Sequence, residues 1–282
     1  MLKHRDYLQE ALKRGAGRGN SASGTLEFYS ALYEHQAKRF EAYRSLPLEG
    51  AWVRPLEMPV VDGARLSFTE AEGAALFEGL NLLLDVLSSF HPGMNFDRVR
   101  AAFAEGAGAV ERTARALLTR DFDAISAYAG DYQIGVEEYI FILVNWFKPY
   151  FAALAEKYGP KIGQDDWMEP RCPVCGFYSD MARIAGTGDG RRFLHCALCE
   201  YEWHFKRIAC PICDNEDAEK LGYFTVADER AYRVDYCDEC RGYIKTVLPE
   251  RLRISGPCDL TVENILTVEI DAAAMGKGYS RP

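Results

Sequence analysis

The stretch Cys172-Pro-Val-Cys175-Gly176 decides the fold of the second half of this 282-residue chain, because it is the first of four Cys-x-x-Cys pairs. The later pairs begin at Cys196, Cys210 and Cys237, and the full pattern reads C-x2-C-x20-C-x2-C-x10-C-x2-C-x23-C-x2-C. Two cysteines three positions apart on a tight turn can direct both sulfurs at one tetrahedral metal ion. A second such turn, brought back by a short hairpin, completes four thiolates. The spacing therefore predicts metal sites.

Sequential pairing of the motifs gives two sites of four cysteines each. The first site would use Cys172, Cys175, Cys196 and Cys199, and the second Cys210, Cys213, Cys237 and Cys240. An interleaved arrangement, first pair with third and second with fourth, stays open. Proline after the first cysteine restricts the backbone, and Gly176 relieves crowding where φ can become positive. Each half then forms a small zinc-ribbon or rubredoxin-like unit, in which bound metal supplies folding energy.

The ligand set limits the metal and its chemistry. Tetrahedral sulfur suits zinc or iron, so two metal ions of either kind are predicted. Four thiolates leave no open position, which argues against a hydrolytic zinc site. His195 and His204 flank the second pair and are predicted to be surface or supporting residues. The ninth cysteine, Cys258, is predicted to be an inert buried thiol.

The first 171 residues contain no cysteine and have helical periodicity. Thr69-x-x-Glu72 is a capping-box pattern that opens a helix, which His91-Pro92-Gly93 ends. The apolar spacing predicts further helices over 26–43, 96–119 and 136–158, the last with an aromatic face in the bundle core. The Gly/Ser-rich stretch from Gly15 to Gly24 is predicted to be mobile.

The back part instead contains short β-type runs separated by turn residues. Strands are predicted at 193–195, 201–205, 223–226, 232–236 and 243–248, with a final helix over about 261–275. The fold class is therefore α+β, a helical N-terminal domain followed by two tandem rubredoxin-like or zinc-ribbon four-cysteine modules. The predicted boundaries are 1–165 for the helical domain, 166–208 and 209–255 for the two modules, and 256–282 for the tail.

Charge and composition exclude some functions. The formal net charge is −9 and the pI is near 5.2, and residues 171–253 hold 13 Lys or Arg against 14 Asp or Glu. A surface that binds the phosphate backbone of nucleic acid needs an excess of positive charge, so no nucleic-acid partner is expected. The charged start lacks a signal-peptide core, and the most apolar run, 139–151, is too short to span a bilayer. We expect a cytoplasmic protein without membrane insertion, whose cysteines stay reduced.

Catalytic motifs are missing from the sequence. It contains no phosphate-binding glycine loop, no Gly-x-Ser-x-Gly elbow and no His-Glu-x-x-His pair. The glycines at 186–190 are interpreted as a hairpin turn, and Asp165-Asp166 as a solvated linker. The chain is therefore predicted not to be an enzyme.

The cysteine region resembles the formate dehydrogenase accessory protein family (FdhE-type). The resemblance rests on these runs: Cys172-Pro-Val-Cys175-Gly, Leu194-His-Cys196-Ala-Leu-Cys199-Glu-Tyr-Glu-Trp203-His204, Arg207-Ile-Ala-Cys210-Pro-Ile-Cys213 and Arg233-x3-Cys237-x2-Cys240-Arg-Gly-Tyr243-Ile-Lys245. It extends more weakly to Leu26–Gln36 and Val262–Tyr279. The chain departs from the family in the tail, where Glu263-Asn264 stand in place of two adjacent aspartates, although Asp271 is kept.

The resemblance implies a helical domain followed by two rubredoxin-like modules in a cytoplasmic protein required for assembly of respiratory formate dehydrogenase. It implies contact with the catalytic, molybdenum- or tungsten-containing subunit of that enzyme, and iron at the eight cysteines. An accessory factor is the leading hypothesis. The alternatives are an iron-thiolate redox or sulfur-handling protein and a nucleic-acid-binding zinc-ribbon protein.

Overall fold

The computed structural model describes residues 3–13, 23–50, 52–104, 106–163, 165–186, 190–226, 230–252, 254 and 256–281. Within these residues the chain forms two compact units. The first consists mainly of residues 22–160 and the second mainly of residues 177–282, with 6–21 and 161–173 added. Most of the glycine-rich stretch that the sequence predicts to be mobile lies outside the described residues. The predicted domain boundaries stay a prediction.

The helical unit contains six of the described helices, and α1 falls mainly in the second unit. Their bounds are α1 His4–Lys13, α2 Ser23–Tyr43, α3 Glu70–Phe90, α4 Asp97–Ala104, α5 Ala107–Thr119, α6 Phe122–Tyr132 and α7 Val136–Tyr158. The sequence did not predict α1 or α6.

Helix α3 begins where the capping box predicts. Thr69 Oγ1 accepts a hydrogen bond from the backbone N–H of Glu72 at 3.2 Å, and the Glu72 carboxylate accepts one from the Thr69 N–H at 2.9 Å. Such a cap contributes about 1 kcal/mol. The other carboxylate oxygen of Glu72 accepts from the buried hydroxyl of Tyr150 at 2.8 Å, which ties α3 to α7.

The single helix predicted over 96–119 is wrong, because the chain forms α4 and α5 instead. Between them Gly106 has φ of +116°, a conformation that side-chain-bearing residues rarely adopt. A helix cannot continue through that backbone, so the apolar periodicity of the two segments belongs to two helices.

Helix α7 confirms the prediction for 136–158 and its buried aromatic face. Tyr139, Phe147, Tyr150 and Phe151 are fully buried, and Trp146 donates its indole N–H to the Leu76 carbonyl at 2.7 Å. The aromatic stripe is therefore bundle core.

By length and composition, one helix of the described residues, α3, could cross a membrane. Leu76, Leu80, Leu83, Leu84 and Leu87 of this helix are buried inside the helical unit, and Leu82 is 38% exposed. This is a different segment from the 139–151 run that the sequence singled out.

The second unit is built on one six-stranded sheet in the order β3-β2-β1-β6-β5-β4. The strands are β1 Ser179–Ile184, β2 Arg192–Cys196, β3 Glu202–Phe205, β4 Leu221–Phe224, β5 Tyr232–Cys237 and β6 Tyr243–Val247. All neighbours are antiparallel except β1 and β6, which pair in parallel through Met181–Lys245, Ala182–Thr246 and Arg183–Val247. This parallel pair joins the two cysteine ribbons into a single sheet.

Five of the six strands were predicted within a few residues, and β1 was missed. Its sequence, Ser-Asp-Met-Ala-Arg-Ile, contains few β-branched or aromatic residues, and its burial does not alternate. β1 is a strand because it is hydrogen-bonded on both sides, which only the tertiary structure supplies.

The tail forms two helices, α8 Leu260–Leu266 and α9 Val268–Gly276, where one was predicted. Thr267 interrupts the run, with φ −120° and ψ 31°, and its hydroxyl donates back to the Glu263 carbonyl at 2.7 Å. Leu260 and Ile270 pack with Val234 and Val247 of the sheet in one apolar cluster. The two helices thus cover a face of the sheet.

Candidate metal centres

The four Cys-x-x-Cys turns share one backbone geometry. In each, the N–H of the first cysteine donates to the carbonyl five residues later. The four bonds are Cys172 to Phe177 at 2.9 Å, Cys196 to Tyr201 at 3.0 Å, Cys210 to Asn215 at 2.8 Å and Cys237 to Gly242 at 3.0 Å. This closed loop sets both sulfurs of a pair on the same side of the turn.

The residue after the second cysteine is left-handed in all four turns. Its φ is +73° at Gly176, +61° at Glu200, +58° at Asp214 and +57° at Arg241. The sequence indicated this conformation only where glycine stands. Non-glycine residues adopt it at a cost of about 1 kcal/mol, so the loop geometry imposes it at the other three turns.

The sulfurs gather in two groups of four. The first cluster is Cys172, Cys175, Cys196 and Cys199, and the second cluster is Cys210, Cys213, Cys237 and Cys240; within each, all sulfurs lie within 4.8 Å of one another. This is the sequential grouping, not the interleaved one.

The spacing of the sulfurs fits a metal ion. The Sγ–Sγ distances are 3.4 Å for Cys172–Cys199, 3.7 Å for Cys210–Cys240 and 3.9 Å for Cys213–Cys237. A Zn–S bond of about 2.3 Å places tetrahedral sulfurs about 3.8 Å apart, whereas a disulfide needs about 2.05 Å. Both clusters could therefore hold a metal ion, zinc or iron, and ligation by the eight cysteines stays a prediction.

Backbone N–H groups point at the sulfurs. Cys196 Sγ accepts from the N–H groups of Leu198 and Cys199 at 3.4 Å, and Cys210 Sγ accepts from Ile212 at 3.4 Å. In the second cluster the side-chain amide of Asn215 also lies 3.8 Å from Cys237 Sγ. Such donors favour the thiolate over the thiol and support metal binding.

The clusters differ in exposure. All four cysteines of the first cluster are at most 2% exposed. In the second, Cys210 and Cys237 are equally buried, but Cys213 is exposed and Cys240 half-buried. Solvent therefore reaches the second cluster from one side.

The cysteine thiols of the second cluster have pKa values shifted in different directions. Burial raises the pKa of Cys240 to about 11 and raises that of Cys210 further. Burial also acts to raise the pKa of Cys237, but the backbone N–H groups of Cys240 and Glu239 outweigh it, so this pKa is below its usual value.

Neither flanking histidine belongs to a four-sulfur group. His195 is 4% exposed, contrary to a surface position, and its Nδ1 lies 2.7 Å from Asp180 Oδ1. Burial acts to lower the pKa of His195, but Asp180 outweighs it and the pKa rises to about 9. His204 Nδ1 lies 2.8 Å from Asp165, so that aspartate is not simply a solvated linker.

Cys258 lies outside both clusters. It is half-buried, 4.0 Å from the Tyr7 hydroxyl, and burial raises its pKa to about 12. A thiol with so high a pKa is poorly reactive, in keeping with the predicted inert role.

Sequence reasoning missed a buried polar brace under the tail. Lys245, fully buried on β6, donates to Asp271 at 2.8 Å and to the carbonyls of Asn264 at 2.7 Å and Thr267 at 3.1 Å. Arg281 donates to Asp271 at 2.6 Å and to the Asn264 side chain at 2.7 Å. The available signal in the sequence was Lys245 itself, a charged residue within the largely apolar strand β6.

The end of the tail contacts the last cysteine turn. Ser280 exchanges backbone hydrogen bonds with Arg241 and Tyr243, at 2.9 and 3.0 Å. The Arg241 guanidinium lies 4.2 Å from the Tyr279 ring centroid. The brace of Lys245, Asp271 and Arg281 thus holds a segment that supports the second cluster.

Three comparisons with known proteins agree with this architecture. Residues 171–207 match the family model "FdhE, central domain". "Protein FdhE homolog" of Edwardsiella ictaluri is 32% identical over 168 residues, which are 57% of this chain and 52% of that relative. "Protein FdhE homolog" of Aquifex aeolicus is 30% identical over 141 residues, which are 49% of this chain and 48% of that relative. "Protein FdhE" of Escherichia coli is 37% identical over 113 residues, which are 39% of this chain and 35% of that relative. The chain thus spans about half or less of the length of the curated relatives it matches.

The fold comparison extends over nearly the whole chain. The crystal structure of the FdhE protein from Pseudomonas aeruginosa superposes with a TM-score of 0.62 at 20% identity, covering 99% of this chain and 92% of that one. That likeness supports the fold, and the cysteine region carries the sequence signal. Together they show that the chain is similar to FdhE proteins in sequence and in fold.

Proposed function

We propose that this protein is a cytoplasmic accessory factor in the maturation of formate dehydrogenase. It would bind the catalytic subunit of that enzyme through a metal-stabilised scaffold and would not catalyse a reaction itself. The observation that carries the proposal is the pair of closed four-sulfur clusters on one sheet, in a chain whose residues 171–207 match the FdhE central-domain model.

The clusters support a scaffold better than a hydrolytic centre. Four sulfurs complete a tetrahedral shell and leave no position for water or substrate. Bound at Cys172, Cys175, Cys196, Cys199 and at Cys210, Cys213, Cys237, Cys240, two metal ions would brace the turns at both ends of the sheet. Such bracing lets a small unit present a rigid surface to a partner.

Affinity capture from the native host tests the proposal. The tagged full-length protein would be recovered from anaerobically grown cells and its partners identified by mass spectrometry against a mock control. We expect enrichment of a formate dehydrogenase catalytic subunit. The Cys196→Ser/Cys210→Ser double variant should lose it, and Cys258→Ser, which alters a thiol outside both clusters, should retain it. Ribosomal or transcription proteins in its place would overturn the proposal.

A redox or sulfur-handling role is the second candidate, favoured by the exposed Cys213. Electron exchange or sulfur transfer needs an accessible sulfur or metal, and only the second cluster offers one among the described residues. Metal analysis of protein purified from its host decides the redox form of this role. Bound iron that cycles between two oxidation states would support it, whereas zinc in both clusters would contradict it, because zinc has no redox chemistry.

A further inference from the structure

A cavity of about 490 Å³ opens beside the second cluster. It is within the 300–1,000 Å³ range typical of ligand sites. Cys210 and Cys237 border it, and its other walls come from β2, β4, β5, β6 and the segment after β3. Its charged lining residues are Arg192, Arg207, Arg233 and Asp235.

Arg192 is the most buried of these residues, at 3% exposure. Its Nη1 donates to the Ala209 carbonyl at 3.0 Å. Its Nε and Nη2 have no hydrogen-bond acceptor within the described part of the chain, and the nearest carboxylate oxygen, of Asp235, is 3.7 Å from Nη2. These two nitrogens form the edge of a guanidinium that pairs side-on with a carboxylate.

Asp235 is shared and cannot satisfy both inner arginines. Its Oδ2 accepts a hydrogen bond from the Thr246 hydroxyl, and its Oδ1 lies 2.9 Å from Arg233 Nε but outside hydrogen-bonding geometry. The cavity thus has three guanidinium groups and one carboxylate. Unpaired buried donors of this kind cost free energy that an incoming carboxylate would recover.

The mouth of the cavity is apolar and exposed. Ile208 is 63% and Tyr223 62% exposed, two of the few large apolar side chains so open among the described residues. Arg233 lies 4.7 Å from the Tyr223 ring centroid, and Arg207 is exposed next to Ile208. Tyrosine and arginine around a pocket are typical of protein-binding hot spots, and a small inorganic anion would leave this apolar rim uncovered.

We propose that this cavity is a docking site for an acidic, apolar segment of a protein partner. A carboxylate of the segment enters between the arginines, and an adjacent apolar side chain covers Ile208 and Tyr223. The inference rests on the proposed function for the identity of the partner, which in that role is the client subunit.

The arginines could instead serve to balance the negative charge of the second cluster. A four-thiolate site with a divalent metal carries about −2, and two of its sulfurs border the cavity. If the arginines served only to balance that charge, replacing Arg207 would change metal affinity and leave peptide binding unaltered. The two roles are therefore separable by experiment.

Fluorescence anisotropy with synthetic peptides tests the docking site. Zinc-loaded full-length protein is titrated into a fluorescein-labelled peptide of three Leu-Glu repeats and into its Leu-Gln counterpart. We expect the acidic peptide to bind at least about tenfold more tightly. Arg207→Gln and Tyr223→Ala, both at exposed positions, should each weaken binding of the acidic peptide roughly three- to tenfold without loss of zinc. Arg251→Gln, an exposed arginine outside the cavity, is the matched control.

Equal affinity for the two peptides, no binding of either, or unchanged binding by Arg207→Gln would overturn the docking site. Acetate or inorganic phosphate that displaces the acidic peptide more effectively than chloride at the same ionic strength would instead indicate a small-anion site, and this result would also overturn the docking site. Because no client subunit is present, these outcomes leave the accessory role to be judged by the capture experiment alone.

Discussion

The first and second clusters have the same backbone and different surroundings. Their turns share the loop-closing hydrogen bond and the left-handed residue after the second cysteine. Yet the first cluster is wholly buried, whereas Cys213 of the second is exposed. Turn geometry is therefore a local property of the motif, and exposure depends on what packs over it.

The difference suggests a division of labour. A buried four-sulfur site can do little except hold its part of the sheet together. The second cluster adjoins the arginine-lined cavity and the end of the tail, so its occupancy could change the surface that we propose as a docking site. Three predictions test this comparison, beginning with the largest expected effect.

Replacing one cysteine in each cluster should separate their contributions to stability. Cys196→Ser removes a predicted ligand from the buried cluster at the end of β2, and we expect a loss of about 3 kcal/mol or more in the free energy of unfolding. Cys213→Ser affects the edge of the unit, and we expect roughly 1–2 kcal/mol. Urea denaturation and metal analysis by plasma mass spectrometry give the two readouts.

Cys258→Ser is the matched control and should keep two equivalents of metal. Equal destabilisation by Cys196→Ser and Cys213→Ser would remove the distinction between the clusters. Full metal content in both variants would contradict the ligand assignment itself.

Metal release to a chelator should be biphasic. Exchange requires access to a sulfur or the metal, so the exposed cluster should release at least about tenfold faster than the buried one, which needs local opening. Stopped-flow absorbance with a chromogenic chelator would resolve one equivalent in each phase. Cys213→Ser should lack the fast phase; a single phase of two equivalents would show that burial does not control release.

The brace under the tail should make stability depend on pH. Burial and the nearby Arg281 lower the pKa of Lys245 to about 8, against about 10.4 in an unfolded chain. Between these two pKa values the unfolded chain binds more protons than the folded one. The contribution of this group to the free energy of unfolding therefore increases as pH rises from about 8 to about 10.4, and it is lost as pH falls back to about 8.

The comparison with Lys245→Met isolates this effect. The wild type should gain roughly 1–3 kcal/mol relative to the variant between pH 7.5 and 10, measured by urea denaturation. Substitution of the exposed Lys277 by methionine should leave the pH profile unchanged. A Lys245→Met profile parallel to the wild type would mean that the brace is not the titrating element.

Much of the molecule could be predicted from local patterns. The Thr69–Glu72 capping box, the aromatic face of α7 and five strands are all short-range features, in which a residue and its near neighbours determine the conformation. Two of the errors lie at Gly106 and Thr267, where one residue divides an otherwise periodic run. Periodicity over a window does not detect such single breaks.

The sequence by itself determined the turns that present the sulfurs, because Cys-x-x-Cys closes its own hydrogen-bonded loop. Only the tertiary structure decided that β1 and β6 join the ribbons into one sheet, that Lys245 is buried under the tail, and that Arg192 and Arg233 share one carboxylate. These features depend on segments far apart in the chain, whose pairing follows from burial and hydrogen bonding across the whole unit and is not specified by local patterns alone.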